Sequence, residues 1–104
     1  MAFTRTGSYD CTFTPPEDPS AYSKILATFA QDDVILVEKS ETDVTISGAD
    51  IQVNLTQQET ALFTAGKRAW AQIKCFASDE NVDISPEYPI DVLPVLNGVI
   101  LSEE

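Results

Sequence analysis

Histidine is absent from this chain, and basic residues are scarce: six Lys and Arg stand against seventeen Asp and Glu, a formal net charge of −11 over 104 residues. Without an imidazole there is no histidine base, no histidine-centred triad and no histidine metal ligand. With so few cations there is no basic face to follow a phosphate backbone. Apolar runs are short and interrupted, so no helix long enough to cross a bilayer is expected. Residues 1–10 hold one Arg and no apolar core, which is not the pattern of a secretory signal. Cysteine occurs twice, as Cys11 and Cys75. Two thiols without histidine make no zinc site, and strand-like surroundings favour buried free thiols over a disulfide. No cofactor and no metal are expected. What is present is a hydrophobic fraction of 43%, ordinary for one globular domain and too high for a disordered acidic tail. Residues 1–104 therefore read as a single domain, with an N-terminal strand and Pro-rich loop over 1–20 and a tail over 94–104.

Period-two alternation dominates. Tyr9, Cys11 and Phe13 share one parity against Asp10, Thr12 and Thr14, which predicts a half-buried strand over 8–14. Three prolines follow within 14–20 and make a loop, excluding helix and central strand there. Residues 24–31 and 34–39 form two strands about the turn pair Asp32-Asp33. Val44 and Ile46, then Ile51, Val53 and Leu55, flank a turn at Gly48 and predict a second hairpin. Thr56-Gln57-Gln58-Glu59 is a capping box, opening one or two helical turns over 57–63 that stop before Gly66. The longest strand is 68–76, with Trp70, Gln72, Lys74 and Phe76 on one face and Ala69, Ala71, Ile73 and Cys75 on the other. Residues 78–81 are a turn, 82–84 resume the strand, Pro86 breaks it, and 88–93 form a last strand placed at an edge by its prolines. The pattern predicts an all-β protein: an antiparallel immunoglobulin-like β-sandwich of about seven strands with one short crossover helix. The antibody Cys–Trp–Cys spacing is not present, since Trp70 lies just before the second cysteine.

The motifs that carry chemistry are weak. Asn54-Leu55-Thr56 matches a glycosylation sequon, but Thr56 is better explained as a helix cap. The acidic pairs Asp32-Asp33 and Asp79-Glu80 lack the spacing of a calcium loop. No Gly-x-Ser-x-Gly elbow occurs, and no carboxylate pair sits in an apolar setting. A non-enzymatic role is the expectation. Trp70, with Tyr22 and Tyr88, raises the alternative of a carbohydrate- or receptor-binding module. The acidity raises another, a DNA-mimic inhibitor of a host enzyme, which requires a carboxylate ridge.

Several segments carry a resemblance. They are Ile25-Leu26-Ala27-Thr28-Phe29-Ala30-Gln31, the hairpin with Lys39, Ile51-Gln52-Val53-Asn54-Leu55-Thr56-Gln57-Gln58-Glu59-Thr60, Phe63-Thr64-Ala65-Gly66 and Ala71-Gln72-Ile73-Lys74. Over residues 22–93 the chain resembles small structural proteins of prophages and tailed phages, in particular the N-terminal β-sandwich domain of phage baseplate upper proteins. That family has no catalytic motif. The resemblance implies a tail or baseplate component located in the virion or the host cytoplasm. Its partners would be other phage structural proteins or further copies of itself, with no nucleic acid and no membrane. The triple-proline start departs from the pattern. The residues expected to touch a partner are Trp70, Tyr88, Val95, Leu96, Val99, Ile100 and Leu101, the last five on the apolar tail beyond Pro94.

Overall fold

The computed structural model describes residues 2–16, 18–77 and 82–96. Nine strands and one short helix are found among them: β1 (Ala2–Thr4), β2 (Tyr9–Phe13), β3 (Tyr22–Gln31), β4 (Val34–Ser40), β5 (Thr45–Ser47), β6 (Asp50–Leu55), α1 (Gln57–Thr60), β7 (Arg68–Ala77), β8 (Val82–Ile84) and β9 (Tyr88–Leu93). They build two sheets. The larger runs β1-β9-β7-β3-β4, with β8 also paired to β7; the smaller runs β2-β6-β5. All pairs are antiparallel except β1 with β9. The chain passes between sheets four times: from β1 to β2, at the proline loop, between β4 and β5, and through α1. This is an all-β, antiparallel immunoglobulin-like sandwich.

Alternation places the core. Ile25, Ala27 and Phe29 of β3, Ala69, Ala71, Ile73 and Cys75 of β7, and Ile90 and Val92 of β9 face inward. They meet Cys11 and Phe13 of β2 and Ile51, Val53 and Leu55 of β6. The alanines of β7 leave room for the facing sheet. At one end Phe3 stacks edge-on to Phe63 at 5.2 Å between ring centres and lies 5.3 Å from Tyr9. Burying such rings is what holds a three-residue strand like β1 in place, at roughly 1.5–3 kcal/mol per large apolar side chain.

Turn chemistry follows the residues. Asp32 and Asp33 both take positive φ, 53° and 62°, as the two-residue turn between β3 and β4 demands. Gly48 does the same at 60° before β6. Thr56 caps α1 with a complete capping box. The helix is shorter than the expected 57–63, because after Thr60 the chain is taken over by tertiary contacts. Arg5 Nε donates to the Phe63 carbonyl (2.8 Å) and its Nη2 to that of Ala61 (3.0 Å). The Thr60 hydroxyl donates to the Gly7 carbonyl (2.9 Å).

Three sequence expectations need correction. The proline loop does hold a helical turn, a 3-10 turn at Pro19–Ala21; Pro19 opens it, where no backbone donor is needed. The strand β1 was not expected and adds a parallel partner for β9. Consequently β9 is not an edge over its whole length: Asp91 pairs with both β1 and β7, Val92 and Leu93 pair on with β1, and Pro89 sits beyond the reach of β1, where a missing donor costs no ladder bond. The expected turn at 78–81 lies outside the described residues.

Candidate interaction face

The two sheets present very different outer surfaces. On the small sheet the outward positions of β2, β6 and β5 are Asp10, Thr12, Gln52, Asn54, Thr45 and Ser47. Two of them pair: Asn54 Nδ2 donates to Asp10 Oδ1 at 2.8 Å. No large apolar side chain stands among them.

The large sheet turns large apolar side chains outward, in one apolar row and two mixed ones separated from it by a polar row. Strand pairing aligns Ile35, Ala30, Trp70 and Pro89 in one row across β4, β3, β7 and β9. Glu38, Thr28 and Gln72 form the next. Ser40, Leu26, Lys74 and Ile84 follow, and then Lys24, Phe76 and Val82. Trp70 is 39% exposed, Ile35 56%, Ile84 57% and Val82 43%. The register between β8 and β9 is held by Ser85. Its amide donates to the Ile73 carbonyl, its hydroxyl accepts from the Ile73 amide, and its carbonyl accepts from Gln72 Nε2, all at 2.9–3.0 Å. That clamp keeps the strand on β7 through the break at Pro86 and keeps Gln72 flat in the centre of the face.

Of the residues expected to touch a partner, Trp70 is on this face. Tyr88 is not: it points inward, half-buried, with its ring 6.0 Å from Phe13. Val95 is half-buried and Leu96 fully exposed at the end of β9. Val99, Ile100 and Leu101 lie outside the described residues. The other outward apolar groups, Leu26, Ile35, Phe76, Val82 and Ile84, were missed. Their signal was apolar side chains on both parities of strands 24–31 and 68–76, where a solvated face would read polar.

A second concavity, a cleft of about 370 Å³, opens between the sheets beneath Pro15 and Pro16 and is lined by Phe13, Ile73, Cys75, Asp83 and Tyr88. Its reactive groups are subdued. The Tyr22 hydroxyl donates to Asp83 at 2.7 Å. Burial, and then the nearby Asp83, push the Cys75 thiol up, so little thiolate forms at neutral pH. The described residues contain no cluster of metal-ligating side chains, and no helix among them is long and apolar enough to cross a membrane.

No family model matches the chain, and no curated protein does. Among solved structures it is similar to the V domain of amphioxus IgVJ-C2, at 10% identity and a TM-score of 0.37, over 89% of this chain and 99% of that one.

Proposed function

We propose that this protein is a non-enzymatic interaction module that works by burying the outer face of its large sheet against another protein chain. The observation that carries this reading is the contrast between the two outer faces: polar throughout on β2, β6 and β5, but on the large sheet bearing the apolar row Ile35, Ala30, Trp70 and Pro89 and, past one polar row, Leu26, Ile84, Phe76 and Val82. Water tolerates isolated exposed apolar groups, but clusters of them on one face mark a contact surface. The sequence resemblance adds the setting, a structural component of a phage or prophage tail or baseplate, in the virion or the host cytoplasm. The two other readings find less support. Trp70 is flanked in its row by Ala30 and Pro89, not by the polar donors a sugar platform needs. The described carboxylates are scattered over turns, edges and both sheets, with no ridge at phosphate spacing.

The test is affinity capture from cells that make the protein, comparing the wild type with a Trp70→Glu/Ile35→Glu variant. The expected result is recovery of a virion structural protein by the wild type and its loss with the variant. Capture of the same proteins by both, or recovery of a glycan or a nucleic-acid enzyme in their place, overturns the reading. Trp70 is the sole tryptophan, so a blue shift of its emission reports burial of this face directly.

A further inference from the structure

The cleft between the sheets is walled by Phe13, Pro15 and Pro16 on one side and by Ile73 and Tyr88 on the other, and it holds one charged side chain, Asp83 of β8. Strand pairing sets Asp83 opposite Cys75, which is buried between the sheets, so the half-buried carboxylate turns inward while Val82 and Ile84 turn out. The Tyr22 hydroxyl donates to Oδ2 at 2.7 Å and fixes the group. Oδ1 has no hydrogen bond among the described residues. The hydroxyls at the cleft are already used. Thr14 donates to Asp50 at 2.6 Å, and Ser85 accepts from the Ile73 amide and donates to the Pro86 carbonyl.

A half-buried carboxylate is stabilised by a cation beside it, and no lysine or arginine lines this cleft. Arg5 is held by the Ala61 and Phe63 carbonyls, Lys39 pairs with Glu59, Lys67 with Asp32 and Arg68 with Asp91. Lys24 and Lys74 are exposed on the outer face of the large sheet, with the sheet between them and the cleft. The amino terminus precedes Ala2, which pairs with Asp91, three positions along β9 from Tyr88. The segments that border the cleft add carboxylates only. Glu17 and Asp18 follow Pro16, Asp79 and Glu80 precede β8, and Glu87 precedes Tyr88; of these, Glu17, Asp79 and Glu80 lie outside the described residues. We propose that the cleft binds a small organic ammonium ion, its charged head on Asp83 Oδ1 and its apolar body against Phe13, Tyr88 and the two prolines. An ammonium donates a charge-assisted hydrogen bond to a carboxylate, and apolar walls that exclude water strengthen it. The Phe13 and Tyr88 rings, with centres 6.0 Å apart, add aromatic surface that favours a cation. A volume of about 370 Å³ stands at the lower end of the about 300–1,000 Å³ of small-ligand sites. It suits an amine with one ring or a short chain. The site lies between the sheets and not on the outer face, so it and the protein-contact reading fail independently.

The full chain is titrated with phenethylammonium and followed by amide NMR. The expected result is saturable shifts at Phe13, Cys75, Asp83 and Ser85, with Thr45 and Gln52 on the outside of the small sheet unmoved. Two further probes separate head from body. 2-Phenylethanol has the body without the charge, and methylammonium has the charge without the body; each should bind at least about tenfold more weakly. Asp83→Asn keeps an oxygen to accept from Tyr22 and removes the charge, so it should weaken phenethylammonium by at least about tenfold. Circular dichroism checks that the variant folds; if it does not, the comparison of phenethylammonium with 2-phenylethanol on the wild type decides the same question. No saturation by about 10 mM, equal binding of the alcohol, or binding unchanged in a folded Asp83→Asn overturns the inference. So do shifts spread over outward carboxylates such as Asp10 and Glu38, which would mean that the acidic surface at large attracts the cation.

Discussion

Lys39 and Glu59 meet with Nζ 2.7 and 2.8 Å from the two carboxylate oxygens, and the same carboxylate accepts the Thr56 amide at 2.9 Å. One side chain thus closes the capping box of α1 and ties that helix, which follows the small sheet, to β4 of the large one. Burial alone would raise the Glu59 carboxyl; the Lys39 and Thr56 contacts outweigh it and hold the group below its ordinary value of 4.5. A carboxyl lowered by folding binds fewer protons in the native state. Its contribution is complete above about pH 4.5 and is lost as pH falls through the native value. Glu59→Gln keeps the cap acceptor and removes the charge, so it is expected to cost about 1 kcal/mol at neutral pH, from the ion pair with Lys39. Urea midpoints checked between pH 7 and pH 3 should converge for variant and wild type at the acid end; a constant gap would show that the charge is not what matters.

Gln31 is buried at the end of β3 and serves the loop between α1 and β7 from both ends of its amide. Its Nε2 donates to the carbonyls of Thr64 (2.9 Å) and Lys67 (3.1 Å), and its Oε1 accepts the Thr64 amide (2.7 Å). Gln31→Leu keeps the volume and removes the partner of the Thr64 amide and of the Thr64 and Lys67 carbonyls, which then turn to water and release the loop. The expected loss is about 1–2 kcal/mol, read from urea unfolding. Amide exchange should speed up first at Thr64, whose amide Gln31 holds.

This network also marks where sequence reading stopped. Gln31 read as the last residue of a strand, because nothing in a one-dimensional pattern says that a glutamine turns inward to a loop more than thirty positions away. Alternation was enough for β2, β3, β6 and β7, since each buries one face only and a one-residue slip would expose it. The turns at Asp32-Asp33 and Gly48 were legible because positive φ restricts residue choice. β1 was not, since three residues held by one parallel pairing and one buried phenylalanine carry no periodicity. On the candidate face, Trp70 stood out by rarity, whereas Leu26, Phe76 and Ile84 were legible only once pairing had put their strands side by side.

Asp33 adopts φ of 62° without the freedom of glycine. Its turn partner Asp32 also lies in the left-handed region but pairs with Lys67 at 2.9 Å, so Asp33 is the position to change. Left-handed backbone costs a non-glycine residue about 1–2 kcal/mol, less for Asp than for most. Asp33→Gly should therefore stabilise the protein by about 0.5–1 kcal/mol after the entropy that glycine brings to the unfolded chain. A thermal melt checks it: the midpoint should rise by a few degrees, and an unchanged or lower midpoint would place the strain elsewhere.

Cys11 on β2 and Cys75 on β7 are both free and buried, in opposite sheets. Burial drives the Cys11 thiol up to about 11, against a smaller opposing effect of its hydrogen bond with Tyr9. Burial likewise raises Cys75, with Asp83 adding to the effect. Reaction with a thiol reagent needs both access and thiolate, and neither is available in the native state near pH 8. Labelling of each cysteine should therefore proceed through opening of the sandwich, with rates that rise with urea in parallel with unfolding. Cys75 lines the cleft under the proline loop, so it should label faster than Cys11, and mass spectrometry of partially labelled protein distinguishes the two. Equal, rapid labelling of both in the absence of denaturant would mean that the sheets do not close over these thiols.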